Sequence, residues 1–169
     1  MNLTPVPAFI KTPPTHNHDV CRTKAVQTAD RLCAERGVQL TTIRRQVLEL
    51  IWGSHKAVKA YDLLDQIKPV QHSVKPATVY RALDFLMAQG LIHRVESLNA
   101  FIGCSCSEQQ HEQLLLICLQ CHEVEERPGA IVMEAVSKEL SQAGFTAHRK
   151  AIEIQGICRL CNVSQAITL

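Results

Sequence analysis

The chain has 169 residues and is poor in aromatics: one Trp, two Tyr and four Phe, 4% in all. Any core it builds must be aliphatic, and a hydrophobic fraction of 46% is enough for one. No apolar run approaches the roughly 20 residues of a membrane span. The first twenty residues, MNLTPVPAFIKTPPTHNHDV, lack the basic start and apolar stretch of a secretory leader. They read as a flexible tail with four prolines. There is no internal repeat. These absences point to the cytoplasm, where thiols stay reduced and structural disulfides are rare.

What is present is unevenly placed. The net charge is only +2, but residues 1–97 hold 13 Lys and Arg against 8 Asp and Glu, and residues 98–169 hold 5 against 8. A basic half beside an acidic half points to an anionic partner, such as nucleic acid, for the first half. Six of the eight cysteines follow residue 100.

Apolar periodicity predicts four helices in the first half. Ala25, Ala29, Leu32 and Cys33 mark the first, ended by Gly37. Ile43, Val47, Leu50 and Ile51 mark the second, with Thr41 as its cap. AYDLLDQI is the third. PATVYRALDFLMAQG is the fourth, with Pro76 in its first turn and Gly90 at its exit. LIHRVES and NAFIGC then read as two short strands with a turn near Leu98 and Asn99. EQLLLIC is a further strand. GAIVMEAVSKELSQAG is a helix with Ile131, Val132, Ala135, Val136 and Leu140 inward, and AIEIQGIC is the last strand. The expected fold is α+β. A tail (1–20) precedes a winged-helix DNA-binding domain (21–97), followed by an α/β domain (98–169).

On the fourth helix Val79, Ala82, Leu83, Leu86 and Met87 form the buried stripe, leaving Thr78, Tyr80, Arg81 and Asp84 outward near its start. A recognition helix presents such N-terminal residues to base edges, and arginine can grip guanine with two bonds. Lys75, Arg44 and Arg45 stand at helix starts, where phosphates bind. Tyr61 either projects onto DNA or packs its ring. A helical bundle with a solvated face fits the same pattern equally well.

Cys118 and Cys121, and then Cys158 and Cys161, are two Cys-x-x-Cys pairs, each following an apolar strand. Two such turns complete a tetrahedral zinc shell, with no position left open. The alternatives are redox dithiols or buried thiols, although a redox motif is expected once, opening a helix. A second group mixes donor types: His93, Cys104, His111 and Glu126. One thiolate, two imidazoles and one carboxylate suit zinc. Cys106, His122, Glu123 and Glu125 are nearby rivals by spacing. His16, His18 and Cys21 form a further metal patch or are part of the tail. Cys33 reads as a small core hydrophobe.

Together TTIRRQVLELIW, AYDLLDQI, PATVYRALDFLMAQGLIHRVES, FIGC, HEQLLLICLQC and GICRLC resemble the ferric uptake regulator family, in particular its zinc uptake regulator branch, over about residues 22–162. The resemblance implies a homodimeric, metal-activated repressor, not an enzyme, with a winged helix and an α/β dimerisation domain. It implies two zinc ions per subunit. A structural one falls on Cys118, Cys121, Cys158 and Cys161, and a regulatory one on His93, Cys104, His111 and Glu126. It implies DNA contacts at Tyr61, Tyr80 and Arg81, on operators of zinc-uptake genes. The sequence lacks the histidine-rich run of the iron-sensing branch before the first Cys pair. His148 stands one residue away from where some relatives have a further ligand, with Arg149 in that place. An iron, manganese or peroxide sensor of the same family is the alternative, and a thiol oxidoreductase a more remote one.

Overall fold

A computed structural model describes residues 18–54, 56–69, 74–105, 113–148 and 150–166. Four helices open the chain: α1 (His18–Glu35), α2 (Thr42–Ile51), α3 (Ala60–Ile67) and α4 (Pro76–Ala88). Glycines in left-handed backbone end the first and last of them. Gly37 has φ +65° and Gly90 φ +67°, a conformation in which a Cβ is strained. Pro76 occupies the first turn of α4, where its missing N–H costs nothing. Thr41 sits at the N-cap of α2, but its side chain makes no capping hydrogen bond.

Ala29, Leu32, Val47, Leu48, Ile51, Leu63, Leu64, Val79, Leu83 and Leu86 pack into an almost wholly aliphatic core between these helices. A hairpin follows: β1 (Ile92–Val95), one 3-10 turn (Glu96–Leu98) and β2 (Ala100–Gly103). Asn99 closes the turn at φ 46°. Val58 adds a rung beside β2, exchanging both backbone hydrogen bonds with Phe101 at 2.8 Å. The result is a winged helix.

The second half is a three-stranded sheet, in the order β4-β3-β5, with one long helix. Its elements are β3 (Gln113–Cys118), β4 (Val124–Pro128), α5 (Ala130–Gln142), β5 (Ala151–Gly156) and α6 (Arg159–Ala166). β3 is central, antiparallel to β4 and parallel to β5. Side chains alternate between its faces. Leu115 and Ile117 face the wing, where they form a second core with Val95, Ile102 and Val124. Leu114 lies on the other face, close to Gly129 and Met133 at the start of α5.

Several expectations change here. β4 and α6 are additional elements. α1 starts at His18, inside the segment assigned to the tail. The division at residue 97 falls within the turn of the wing hairpin, whose strands stay paired on both sides of it. The inner face of α5 is not the expected one. Met133 is fully buried, whereas Ile131 is 85% exposed and Val132 42%. Ala135 is exposed as well, along with Phe145, Ile154 and Ile157, whereas Val136 and Leu140 of the expected stripe are half-buried.

Candidate metal centres

Because β3 and β5 run parallel, their C-terminal ends lie side by side, with Cys118 opposite Gly156. Each strand leads straight into a Cys-x-x-Cys turn, so the pairing brings both turns to one end of the sheet. The first turn is tight. The Cys118 N–H donates to the Glu123 carbonyl at 2.9 Å and the His122 N–H to the Cys118 carbonyl at 3.0 Å, with His122 at φ 61°. The second turn opens α6, which carries Cys161 in its first turn.

The sulfurs of Cys118 and Cys161 are 3.9 Å apart, those of Cys121 and Cys158 3.8 Å, and all four fit within 4.8 Å. Four sulfurs each about 2.3 Å from one zinc ion define a tetrahedron with edges of about 3.8 Å. A disulfide needs about 2.05 Å, and the described cysteines are all free. The donor set and its spacing therefore fit zinc. Burial raises the Cys118 thiol, but the N–H groups of Cys121, Cys158 and Gln120 outweigh it and hold the thiol down at about 6. The side-chain bond from Cys158, then desolvation, pushes Cys161 up to about 12.

The second group joins the two halves. His93 is on β1, Cys104 directly follows β2, and Glu126 is on β4. Their ligand atoms lie within 4.8 Å of one another. His93 and Cys104 are 5% and 2% exposed. The His93 Nε2 stands 2.8 Å from Glu126 Oε1. The other carboxylate oxygen, Oε2, accepts the Ser105 N–H at 3.0 Å and the Ser105 hydroxyl at 2.7 Å. Those two bonds fix the carboxylate with one oxygen left toward the cluster, as the outer partners of metal ligands do. The Cys104 N–H is tied to the Leu91 carbonyl at 3.0 Å. Imidazole, thiol and carboxylate in a buried group again fit zinc.

Strand parity separates Glu126 from its rivals. Glu126 pairs with Leu115 and faces the wing, while Glu125 pairs with Leu116 and turns to the opposite face. There Glu125 binds Arg127 at 3.0 Å. Glu123 and His122 are exposed. His111, Cys106 and Arg149 lie outside the described residues, as does His16. His148 is exposed, and neither it nor His18 or Cys21 joins a metal-competent group among the described residues. Cys33 is 2% exposed on the inner face of α1, and burial raises its thiol. Ser105 and its grip on Glu126 were not singled out in the sequence, since a serine after a cysteine carries no distinguishing signal.

On the helical half, Tyr61 is 66% and Tyr80 43% exposed, unusual for such rings, and Arg81 is exposed beside Tyr80. Thr78 is half-buried in the first turn of α4, its N–H bonded to the Lys75 carbonyl at 2.9 Å. Arg45 is held to Asp30 through both guanidinium nitrogens. Arg44 stacks over the Phe85 ring at 3.5 Å from its centroid. Tyr61, Tyr80 and Arg81 are therefore presented outward, whereas Arg45 is engaged within the fold.

A winged helix joined to an α/β domain by a buried His, Cys and Glu group, with a four-cysteine cage at one end of the same sheet, is the architecture of a metal-dependent DNA-binding regulator. The chain belongs to the ferric uptake regulator family, whose sequence model matches residues 35–155. It is 39% identical to the zinc uptake regulation protein of Escherichia coli (strain K12) over 134 residues, 79% of this chain and 78% of that one. Its fold is similar to that of a zinc uptake regulator complexed with zinc and DNA, with TM-score 0.82 and 36% identity over 86% of this chain and 97% of that one. It is also similar to the crystal structure of holo XcZur, with TM-score 0.77 and 40% identity over 83% and 98% of the two chains.

Proposed function

We propose that the protein is a zinc-responsive transcriptional repressor. It binds operator DNA as a homodimer when its regulatory zinc is in place, and represses zinc-uptake genes. It is a regulator, not an enzyme. The observation that carries the reading is the group of His93, Cys104 and Glu126, because the wing supplies one ligand and the sheet another. The likeness to zinc uptake regulators, one of them bound to zinc and DNA, supports the choice of metal and partner.

Each subunit takes two zinc ions in this reading. Cys118, Cys121, Cys158 and Cys161 hold the structural one. His93, Cys104, Glu126 and His111 hold the regulatory one. The DNA-reading half runs from α1 to the end of β2 and the dimerisation half from β3 onward. Tyr61, Tyr80, Arg81 and Thr78 face the DNA. Arg45 reaches it only by leaving Asp30. The protein works in the cytoplasm, where the cage thiols stay reduced. Among the described residues no helix is long and apolar enough to cross a membrane.

Bound zinc supplies a rigid four-coordinate junction between wing and sheet. His93 carries the orientation of the wing into that junction. Glu126, fixed by Ser105, carries the orientation of the sheet. Exposed Ile131, Val132 and Ile154 supply an apolar face for the second subunit. A fixed junction in each subunit then sets the separation of two recognition helices. Couplings of this kind typically amount to about 1–3 kcal/mol. A switch from 1:99 to 99:1 needs roughly 5.5 kcal/mol, so two junctions acting together approach it.

The test is operator binding by the full chain against buffered zinc, iron(II) and manganese(II), using a zinc-importer promoter. Zinc alone should promote binding. Equal response to iron or manganese would move the protein to another branch of the family, and metal-independent binding would refute the reading.

A further inference from the structure

The wing touches the sheet at a second point that involves no metal ligand. Glu126, Leu115 and Glu153 stand in one row across β4, β3 and β5, since Leu115 pairs with both glutamates. Residues paired in this way present their side chains on the same face. Glu126 meets His93 at one end of the row. Leu115, fully buried, packs in the shared core with Val95 and Ile102. At the other end the Glu153 carboxylate accepts two backbone N–H groups of the wing turn, Glu96 at 2.6 Å and Ser97 at 3.0 Å. The side chain of Glu96 does not compete for that place, because its carboxylate is bound by Arg94 at 3.1 Å.

We infer that Glu153 is a positioning residue for DNA binding: a metal-independent latch that pins the wing turn to the dimerisation sheet, so that latch and regulatory site together hold the wing at two points. This rests on the reading of His93, Cys104 and Glu126 as the regulatory site. A body held at one point rotates freely about it. Held at two points along one row, it keeps only rotation about the line joining them. The ion site and the latch are therefore complementary. Charge-assisted bonds to backbone N–H groups are the stronger kind, and both oxygens of Glu153 are used.

The test uses the full chain as a dimer, comparing the wild type with Glu153→Ala and Glu153→Gln. Amide hydrogen exchange at Glu96 and Ser97 reads the latch directly. Both amides should be protected in the wild type with two zinc ions per subunit. They should stay protected after mild chelation has removed the regulatory ion alone. Glu153→Ala should lose that protection while keeping two zinc ions per subunit and the dimer, and its operator affinity at saturating zinc should fall about tenfold. Glu153→Gln should recover part of both, because its carbonyl accepts one N–H but its NH2 cannot accept the other.

Equal exchange at Glu96 and Ser97 in the wild type and Glu153→Ala would overturn the inference, as would wild-type operator affinity in Glu153→Ala. If Glu153→Ala fails to fold, Glu153→Gln decides alone, and full wild-type protection and affinity in it would overturn the latch. A wild type that shows the protected amides yet binds no operator with zinc supports the latch and refutes the repressor reading.

Discussion

Replacing His93 by alanine removes an imidazole that is only 5% exposed, together with its 2.8 Å contact to Glu126. Glu126 is not orphaned, because the Ser105 N–H and hydroxyl still hold its other oxygen. The variant should therefore fold and dimerise. Its effect falls on the metal. Four protein ligands bind a zinc ion with about 10–16 kcal/mol in structural sites. An even share is roughly 3 kcal/mol per ligand, or about two orders of magnitude in zinc affinity. At a free zinc level that half-fills the wild-type site, the variant site should be about 1% filled. Operator affinity should then drop toward its zinc-free level, a loss of about 5–150-fold if the coupling lies in the usual range. Fluorescence anisotropy of labelled operator across buffered zinc reads this, and metal analysis after gel filtration should find the cage ion retained. A variant with the wild-type zinc midpoint and the wild-type operator affinity would refute the reasoning.

Other outcomes follow from the same geometry. Cys118→Ser should lose the cage ion and with it the dimer, and chelation of the wild type should make the four cage thiols newly reactive to a labelling reagent. A soluble dimer of Cys118→Ser with unchanged metal content would count against the cage. Ile131→Glu places a charge on a side chain that is 85% exposed in the subunit, so the monomer should stay folded while sedimentation shows dissociation. Gly103→Ala would drive a Cβ into the indole of Trp52, the only tryptophan in the sequence. Displacing that ring should cost about 1–3 kcal/mol of stability, shift the tryptophan emission and weaken regulatory zinc binding next door at Cys104. An unchanged spectrum and melting temperature would show that the ring yields freely.

Much of the helical half was legible because its signals are local. The 3.6-residue stripe of α4, Pro76 at its start and Gly90 at its end need no tertiary context. The two Cys-x-x-Cys turns were legible as pairs, but only the parallel register of β3 and β5 explains how they meet. β4 escaped notice because Val124–Pro128 reads as charged. One of its glutamates points into a buried group and the other binds Arg127 on the opposite face, so no hydrophobic alternation survives. The face of α5 was misread for the opposite reason. Ile131 and Val132 are apolar, and apolar residues left exposed look the same in sequence as those that enter the core. Glu153 left no mark, since a glutamate on a half-exposed edge strand is ordinary until its two backbone partners are seen.

The six residues from Cys118 to Glu123 do more than hold two sulfurs. They also set how far β4 slides against β3, and side chains swap faces with every single step of that slide. One residue added to or lost from this bend would send Glu126 outward and bring a different neighbour inward. The cysteine end of the sheet thereby dictates which of two adjacent glutamates stands beside His93 and Cys104. Only changes in bend length by an even number would leave that choice intact.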